Sequence, residues 1–384
     1  MKKFMLLATV TLVAAAAMGS APGKAQSSGP YKVIRTERVG GEGGWDYIFA
    51  DSDGRKLYIP RGAVRGAAPT DTAPAAQPTP GPIVTPARIV AYNLDTLEKV
   101  SEIPDTGGNG VAVCPKTGHG FSSSRPGITM FDTKTLTLIK KIDYPEGFGP
   151  DGIYCDTFND HVYVFSHPTK NALVIDAKDG TVAGTVDLGG TPEQGVADGK
   201  GTLYVVMQAE SNVAVVDVKS MKTTAHYDFA EKGGRCNGLA LDVKNQVLFA
   251  ACGNSSMTPA QGSTPQPTMV IMSAKDGKIL TTLPLAGGSD GAAFNPQTME
   301  AFSTHGNGTL TVVREKSPTS FEVVQNLDTK NGARTITLDS KTGHIFTMAD
   351  ERTPAPAPPP GTPPGRGGRG TVIPGTFTIL MIGK

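Results

Sequence analysis

The sequence has no excess of charge of either sign. Lys and Arg number 36, Asp and Glu number 35, and only 18% of residues are charged. Nucleic-acid-binding surfaces and acidic solvating tails both require a clear excess of one sign. We therefore predict no nucleic-acid partner.

Motifs for cofactors and metals are also missing. The chain has no C-x-x-C-H haem site, no phosphate-binding loop and no C-x-x-C pair. None of its six histidines has metal-ligand spacing, and His167 and His305 fall in blades too far apart to share an ion. We therefore predict no cofactor and no metal.

Two short matches to known motifs lack the context that their chemistry needs. Residues 287–291 match G-x-S-x-G, but no strand-turn-helix pattern surrounds them. Residues 51–54 resemble the start of a calcium loop without its downstream glutamate. We interpret the first as a chance match in an inter-blade loop and the second as a turn.

Long apolar runs are absent beyond the N-terminus. There, Lys2 and Lys3 precede "FMLLATVTLVAAAAM", and small residues lead to Ala25. This order is typical of a signal peptide, and the run is short for an uncleaved membrane anchor. We predict that residues 1–25 are removed and that residues 26–384 form one periplasmic or secreted domain without a membrane span.

Glycine (47) and proline (30) are plentiful, and β-branched runs lie between them. This composition favours many short strands over helices. A four-strand unit, clear in "GPDGIYCDTFNDHVYVFSHPTKNALVIDAKDGTVAGTVDL" from Gly149, recurs seven times. Such a repeat predicts an all-β, seven-bladed β-propeller. Each unit begins at one polar anchor residue, and the anchors are Asp46, Asn109, Asp151, Glu193, Asn237, Asp290 and Arg334.

Runs such as "KLYIPRG", "HVYVFSH" and "TLYVVMQ", together with "ALVIDAKDGTVAGTV", resemble the YVTN-repeat propellers, and most closely the exported YncE-like members. The resemblance covers roughly residues 31–384. It implies a periplasmic or secreted seven-bladed propeller, and it implies no single activity.

The last repeat has only three strands of its own, "RTITLD", "HIFTMAD" and "TFTILMI". The N-terminal segment "YKVIRTERV" has the alternating pattern of a fourth strand. We predict that it pairs with residues 376–382 and closes the ring, because an open ring would expose two strand edges.

Three proline-rich inserts occupy the same position, between the second and third strands of blades 1, 5 and 7. They span residues 61–88, 253–268 and 352–375. We predict that all three project from the face that also carries the anchors. Neutral loop drift explains them equally well, since surface loops accept insertions at little cost.

The seven anchors should ring the channel mouth on this face. Four carboxylates with one arginine suit a cation or a polyol-like ligand, although each Asp or Asn can instead serve local turn amides. The same face should carry a rim of basic residues, predicted as Arg61, Arg125, His167, His305 and Arg352.

The four cysteines form two pairs, for which the sequence leads to different predictions. With a turn centred near Lys244, Cys236 and Cys252 face each other across a hairpin, which predicts a disulfide in an exported protein. Cys114 and Cys155 lie in different blades and are interpreted as buried thiols.

The sequence thus favours a monomeric, non-catalytic binding or scaffold propeller, holding an extracytoplasmic protein or a small ligand at the mouth and the looped face. The alternative is a propeller enzyme, a lactonase, lyase or quinoprotein-type oxidoreductase, with its site at the mouth. No nucleophile–base pair is apparent in the sequence, so no catalytic residue is predicted.

Overall fold

The structure, a computed structural model, describes residues 28–66, 81–253, 266–355 and 370–384. The predicted signal peptide lies outside these ranges. Every regular element in them is a β-strand, and none of the described residues forms a helix suited to crossing a membrane. The strands, in chain order, are β1 (Lys32–Arg38), β2 (Phe49–Asp51), β3 (Lys56–Arg61), β4 (Val64–Arg65), β5 (Ile83–Thr85), β6 (Arg88–Asn93), β7 (Lys99–Pro104), β8 (Val111–Cys114), β9 (His119–Ser122), β10 (Ile128–Asp132), β11 (Thr137–Ile142), β12 (Pro150–Asp156), β13 (His161–Ser166), β14 (Asn171–Asp176), β15 (Val182–Asp187), β16 (Pro192–Ala197), β17 (Thr202–Met207), β18 (Asn212–Asp217), β19 (Lys222–Asp228), β20 (Cys236–Asp242), β21 (Val247–Cys252), β22 (Thr268–Ser273), β23 (Ile279–Pro284), β24 (Ser289–Asn295), β25 (Glu300–His305), β26 (Thr309–Ser317), β27 (Ser320–Asp328), β28 (Arg334–Leu338), β29 (Ile345–Ala349) and β30 (Thr378–Gly383).

These strands form seven four-stranded antiparallel sheets, which are the blades of a propeller. Blade 1 contains β2, β3, β6 and β7, and blades 2 to 6 take the strands from β8 to β27 in groups of four. Blade 7 contains β28, β29, β30 and β1. The seven-bladed fold predicted from the repeat is confirmed.

Burial differs between the middle strands and the outermost strand of each blade. The second and third strands, such as β13 and β14, are buried along almost their whole length, whereas the outer β19 alternates between exposed and half-buried residues. Strands covered on both faces require continuous apolar runs, which "VYVF" and "ALVI" supply. The hydrophobic core therefore lies between neighbouring blades.

The predicted closure of the ring is confirmed. β1 pairs antiparallel with β30, from Lys32 opposite Gly383 to Arg38 opposite Thr378. Tyr31, just before β1, is 3% exposed and packs edge-on against Phe302 of blade 6 at 5.3 Å. The N-terminal strand therefore completes blade 7 and also contacts blade 6.

A buried carboxylate secures both chain ends at this point. Glu300, at the start of β25, accepts a hydrogen bond from the Tyr31 hydroxyl at 2.5 Å. It also forms ion pairs with Arg314 at 2.8 Å and with Lys384 at 3.0 Å. Burial disfavours its charge, but these contacts outweigh burial and lower the pKa of Glu300. One side chain of blade 6 thus connects residues from both ends of the chain.

The interiors of the three proline-rich inserts lie outside the described residues. The described base of the first insert forms the small hairpin of β4 and β5. At the base of the third, Arg352 bridges to Val372. All three inserts connect the second and third strands of their blades, as the repeat predicts.

All four cysteines form disulfides. Cys236 lies opposite Cys252 across β20 and β21, and the two are bonded. Cys114 of blade 2 is bonded to Cys155 of blade 3. The interpretation of Cys114 and Cys155 as thiols was wrong, because the inner strands of adjacent blades bring their Cα atoms to 5.7 Å.

Two carboxyl groups are buried together between blades 5 and 6. Glu315 lies beside Asp242, and both residues are more than nine-tenths buried. Asn245 donates to Glu315 Oε1 at 2.7 Å, whereas Glu315 Oε2 and Asp242 Oδ2 have no hydrogen-bond partner among the described residues. Burial and the Asp242 carboxyl raise the pKa of Glu315 to about 7.

Replacing Glu315 by Gln is expected to stabilise the protein by roughly 2–3 kcal/mol above pH 7 and to have little effect near pH 4. The folded carboxyl stays protonated up to about pH 7, whereas the carboxyl of the unfolded chain ionises near its usual pKa of 4.5. The free energy of unfolding of the wild type therefore falls as the pH rises from about 4.5 to above 7. Urea unfolding at pH 5 and pH 8 measures the difference, with Glu322→Gln, a partly exposed carboxylate of β27 paired with Lys316, as the control. An identical pH dependence in wild type and Glu315→Gln contradicts the prediction.

Candidate functional site

The first strand of each blade lies beside the channel, and irregular pairing at its start helps direct the anchor side chain into the channel. In blades 3 to 7 the register between the first and second strands shifts at or next to the anchor. Such β-bulges redirect a side chain and often lie beside binding sites. The shifts lie between Pro150 and Ile153, Pro192 and Gly195, Cys236 and Gly238, Ser289 and Gly291, and Arg334 and Thr337.

The glycine after several anchors allows adjacent inner strands to approach closely. A Cβ atom on Gly238 would lie 2.7 Å from the backbone nitrogen of Ala292. A Cβ atom on Gly152 would lie 2.9 Å from the carbonyl oxygen of Glu193. The repeated polar-residue–glycine pair therefore keeps the mouth narrow.

The structure brings all seven anchors to one cavity of about 820 Å³. Arg125 and His167 of the predicted rim also line it. Sequence analysis missed several polar lining residues, namely Tyr47, Gln208, Arg235, Ser289 and Asn307. Every blade contributes a polar side chain to the cavity.

Arg334 organises one side of the mouth. Its Nη1 lies 2.6 Å from Asp290 Oδ2 and 3.4 Å from Asp46 Oδ1. The guanidinium also stacks over the Trp45 ring at 4.8 Å and donates to the Trp45 carbonyl at 3.0 Å. Burial disfavours its charge, but the two carboxylates outweigh burial and raise the pKa of Arg334.

A second group lies across blades 2, 3 and 4. Asn109 donates to Asp151 Oδ1 at 2.7 Å. His167 Nε2 lies 2.9 Å from Asp151 Oδ2 and 3.6 Å from Glu193 Oε1. Burial disfavours both charges, but the pairing outweighs it, raising the pKa of His167 and lowering that of Asp151.

Glu193 is the most enclosed carboxylate of the mouth, at 6% exposure. The Tyr47 hydroxyl, from blade 1, donates to Glu193 Oε2 at 2.5 Å. Gln208 donates to the other oxygen and accepts in turn from Arg235. The Tyr47–Glu193 contact spans the channel, because blades 1 and 4 lie on opposite sides of the ring.

Two carboxyl groups of the mouth hold protons unusually strongly. Burial, with the nearby Asp290 and Asp151 carboxylates, raises the pKa of Asp46 to about 8 despite Arg334. Burial, with Asp151, raises the pKa of Glu193 to about 7. At neutral pH these protein groups alone therefore do not keep all four carboxylates ionised. A bound cation would favour their ionised forms.

The channel below the mouth is apolar. A second space of about 460 Å³ is lined mainly by side chains such as Ile153, Leu239 and Ile336. Tyr47 and Glu193 line both spaces, so they form the floor of the mouth. The channel itself offers little recognition for a charged ligand.

Three predicted rim residues lie outside the mouth. Arg61 is 3% exposed, stacks on Phe377 at 3.8 Å and donates to the Gly41 carbonyl. His305 is fully buried, which lowers its pKa to about 4. Arg352 is exposed but donates to the Gly370 carbonyl at the base of the third insert. The first two predictions were wrong, because a position near a strand end does not determine side-chain depth.

Neither motif fragment forms the site that its motif describes. Ser289 lies at the start of β24, and its Oγ accepts a hydrogen bond from Ser303 at 2.9 Å. Asp51 Oδ1 accepts from the Gly54 amide at 2.9 Å, closing a turn. Neither forms part of a nucleophile or calcium arrangement.

The absence of metal-ligand spacing among the histidines concealed a mixed cluster. One ligand atom each of Asp151, His167 and Glu193 lies within 4.8 Å of the others. The signal was present in the sequence as two anchors and one loop histidine of adjacent blades. It could be found only by comparing blades in space rather than histidines with one another.

Comparisons with known proteins agree on the fold. No protein-family model matches the sequence, and no curated protein sequence matches it. The WD40 repeats of RRP9 superpose with a TM-score of 0.65 at 9% identity, over 94% of this chain and 99% of that one. A chain of the mitotic checkpoint complex gives 0.63 at 11% identity, over 88% and 96%. The chain is thus a propeller similar to WD40 structures, and the YVTN-repeat resemblance stays a prediction.

Proposed function

We propose that this protein is an exported binding propeller that holds a small polar ligand, a cation or a polyol-like molecule, at the channel mouth. The observation that carries the proposal is the convergence of polar side chains from all seven blades on one cavity of about 820 Å³. Ligand sites combine such a concave space with a few directed polar groups. Carboxylates accept hydrogen bonds and arginines donate them, so the mouth can recognise several hydroxyl groups at once.

Export is supported by two independent features. The first 25 residues have the order of a signal peptide, and all four cysteines are disulfide-bonded. Disulfides persist in the periplasm and outside the cell but are rare in the reducing cytosol. The ligand is therefore one available to an extracytoplasmic protein.

The looped face is proposed as the place where a protein partner contacts the propeller. A cavity of about 860 Å³ lies at the base of the third insert, lined by Arg352 and Gly370. It shares Gly306 and Arg334 with the mouth. A partner that engages this insert would therefore lie beside the bound ligand.

One observation favours an enzyme as the second candidate. Glu193 has a pKa of about 7 and lies beside His167, so it is poised for proton transfer near neutral pH. Lactone opening needs such a base. Turnover of a lactone that is lost in Glu193→Gln would establish catalysis, whereas binding without turnover favours the binding propeller.

A melting-temperature screen with divalent cations, sugars and lactones tests the proposal. A true ligand at 100 times its Kd stabilises the folded protein by about 2.7 kcal/mol, which raises the melting temperature by a few degrees. Replacing Asp46 and Asp151 by Asn should abolish this shift while leaving the free protein folded, since Asp290 still pairs with Arg334. The control replaces Asp53 and Asp160, which do not line the mouth. A ligand shift that survives in the mouth variant would contradict the proposal.

A further inference from the structure

The cluster of Asp151, His167 and Glu193 has the dimensions of a metal site. His167 Nε2 lies 2.9 Å from one carboxylate oxygen and 3.6 Å from the other. Ligand atoms about 2.0–2.2 Å from a tetrahedral metal are separated from one another by about 3.3–3.6 Å. These two separations lie close to this range, and all three atoms lie within 4.8 Å of one another. Small side-chain movements would thus bring all three atoms onto one ion.

His167 Nε2 is itself poorly satisfied. The atom is buried, and its 2.9 Å ion-pair contact with Asp151 Oδ2 lacks hydrogen-bond geometry, so it has no hydrogen-bond partner among the described residues. It faces Asp151 Oδ2 and Glu193 Oε1, both of which are acceptors. A neutral imidazole protonated at Nδ1 directs the Nε2 lone pair at this position, and three electron-rich atoms then face one point. A cation at that point gives His167 Nε2 a partner and adds a second partner to Glu193 Oε1, which already accepts from Gln208.

Neighbouring side chains fix the two carboxylates in the orientation that a metal needs. Asn109 donates to Asp151 Oδ1, which leaves Oδ2 directed at the cluster. Tyr47 donates to Glu193 Oε2, whereas Oε1 accepts from Gln208 and faces His167 with its second lone pair. Metal-bound carboxylates and histidines characteristically have such outer hydrogen bonds. Glu193 is nine-tenths buried, so its position is well constrained.

We propose that Asp151, His167 and Glu193 bind one divalent first-row metal ion such as Zn²⁺ or Mn²⁺. This inference rests on the proposed function and makes it specific: hydroxyl or carboxylate oxygens of the small ligand complete the coordination from the cavity. The imidazole ligand favours these metals over Ca²⁺, which binds oxygen atoms alone. Three protein ligands with open positions toward a cavity are the arrangement in which a metal also contacts a bound molecule.

The test measures metal binding directly. Protein stripped with EDTA is titrated with ZnCl₂ or MnCl₂, and the bound metal is counted after dialysis by elemental analysis. We expect about one equivalent, with at least a tenfold loss of affinity in His167→Ala and in Glu193→Gln. His344→Gln, outside the mouth, is the matched control and should bind as wild type. The ligand-field spectrum of Co²⁺-loaded protein provides a second readout, which His167→Ala should alter.

Melting temperatures in EDTA establish that each variant folds. If a variant fails to fold, the Co²⁺ spectrum of wild type decides, because ligation by His167 and two carboxylates predicts intense low-coordinate bands. Absence of a stoichiometric ion from wild type overturns the proposal, as does binding that both variants leave unchanged.

The same samples separate this inference from the proposed function. If EDTA-stripped protein still gives sugar or lactone shifts that depend on Asp46, and no ion binds through His167, ligand binding stands and the metal site falls. If one ion binds through His167 but no small ligand shifts the loaded protein, the metal site stands and the small-ligand proposal falls.

Discussion

Deletion of residues 28–39 is expected to prevent folding or to lower the melting temperature by tens of degrees. The deletion removes the β1–β30 ladder, whose net hydrogen bonds contribute about 0.5–1.5 kcal/mol each. It also removes the buried Tyr31 ring, which contributes about 1.5–3 kcal/mol. The sum is comparable to a typical total stability of about 5–15 kcal/mol. Circular dichroism and size-exclusion chromatography report the loss, and exposed β30 edges should also cause association.

Two further variants refine this prediction. A chain beginning at Pro30 keeps β1 and should melt like the protein beginning at residue 26, which makes it the control. Tyr31→Phe keeps the packing on Phe302 and removes only the hydrogen bond to Glu300, so it should cost about 1–3 kcal/mol. An unchanged melting temperature in the 28–39 deletion, with the protein monomeric, would disprove the role of β1.

Replacing Cys114 and Cys155 by Ala is expected to lower the free energy of unfolding by about 4 kcal/mol. The same replacement of Cys236 and Cys252 should lower it by about 3 kcal/mol. The first bond spans 41 residues and joins two blades, whereas the second spans 16 residues within one hairpin. A longer loop gains more freedom in the unfolded chain when its bond is removed.

Guanidinium unfolding of the two double variants measures the difference. A smaller loss of unfolding free energy in the variant at residues 114 and 155 than in the variant at residues 236 and 252 would contradict the expected order. Serine in place of alanine at the same positions controls for lost packing volume.

The fold was predictable from the sequence because its repeat is local. Two apolar runs within each unit of about forty residues define two buried strands, and the missing strand of blade 7 could be identified by counting. The Cys236–Cys252 bond followed from hairpin register for the same reason. Each of these inferences needs only contacts within one blade.

The remaining features depend on relations between blades. Cys114 meets Cys155 because two inner strands lie at matching heights, and His167 meets Glu193 across a blade boundary. His305 is buried by neighbouring strands that its own repeat does not reveal. The four-strand repeat predicts where a residue lies within its own blade. The packing of neighbouring blades determines which side chains reach the mouth.

The strand that closes blade 7 also dictates the order of events during synthesis. Lys32 must wait for Gly383, which lies 351 residues later in the chain, before it finds its partner. Joining ends so distant in sequence costs about 5 kcal/mol of chain entropy, which earlier blades must offset by bringing the two ends together. The ring therefore closes only after β30 has been made, and until β1 pairs with it the outer edge of blade 7 is available to chaperones.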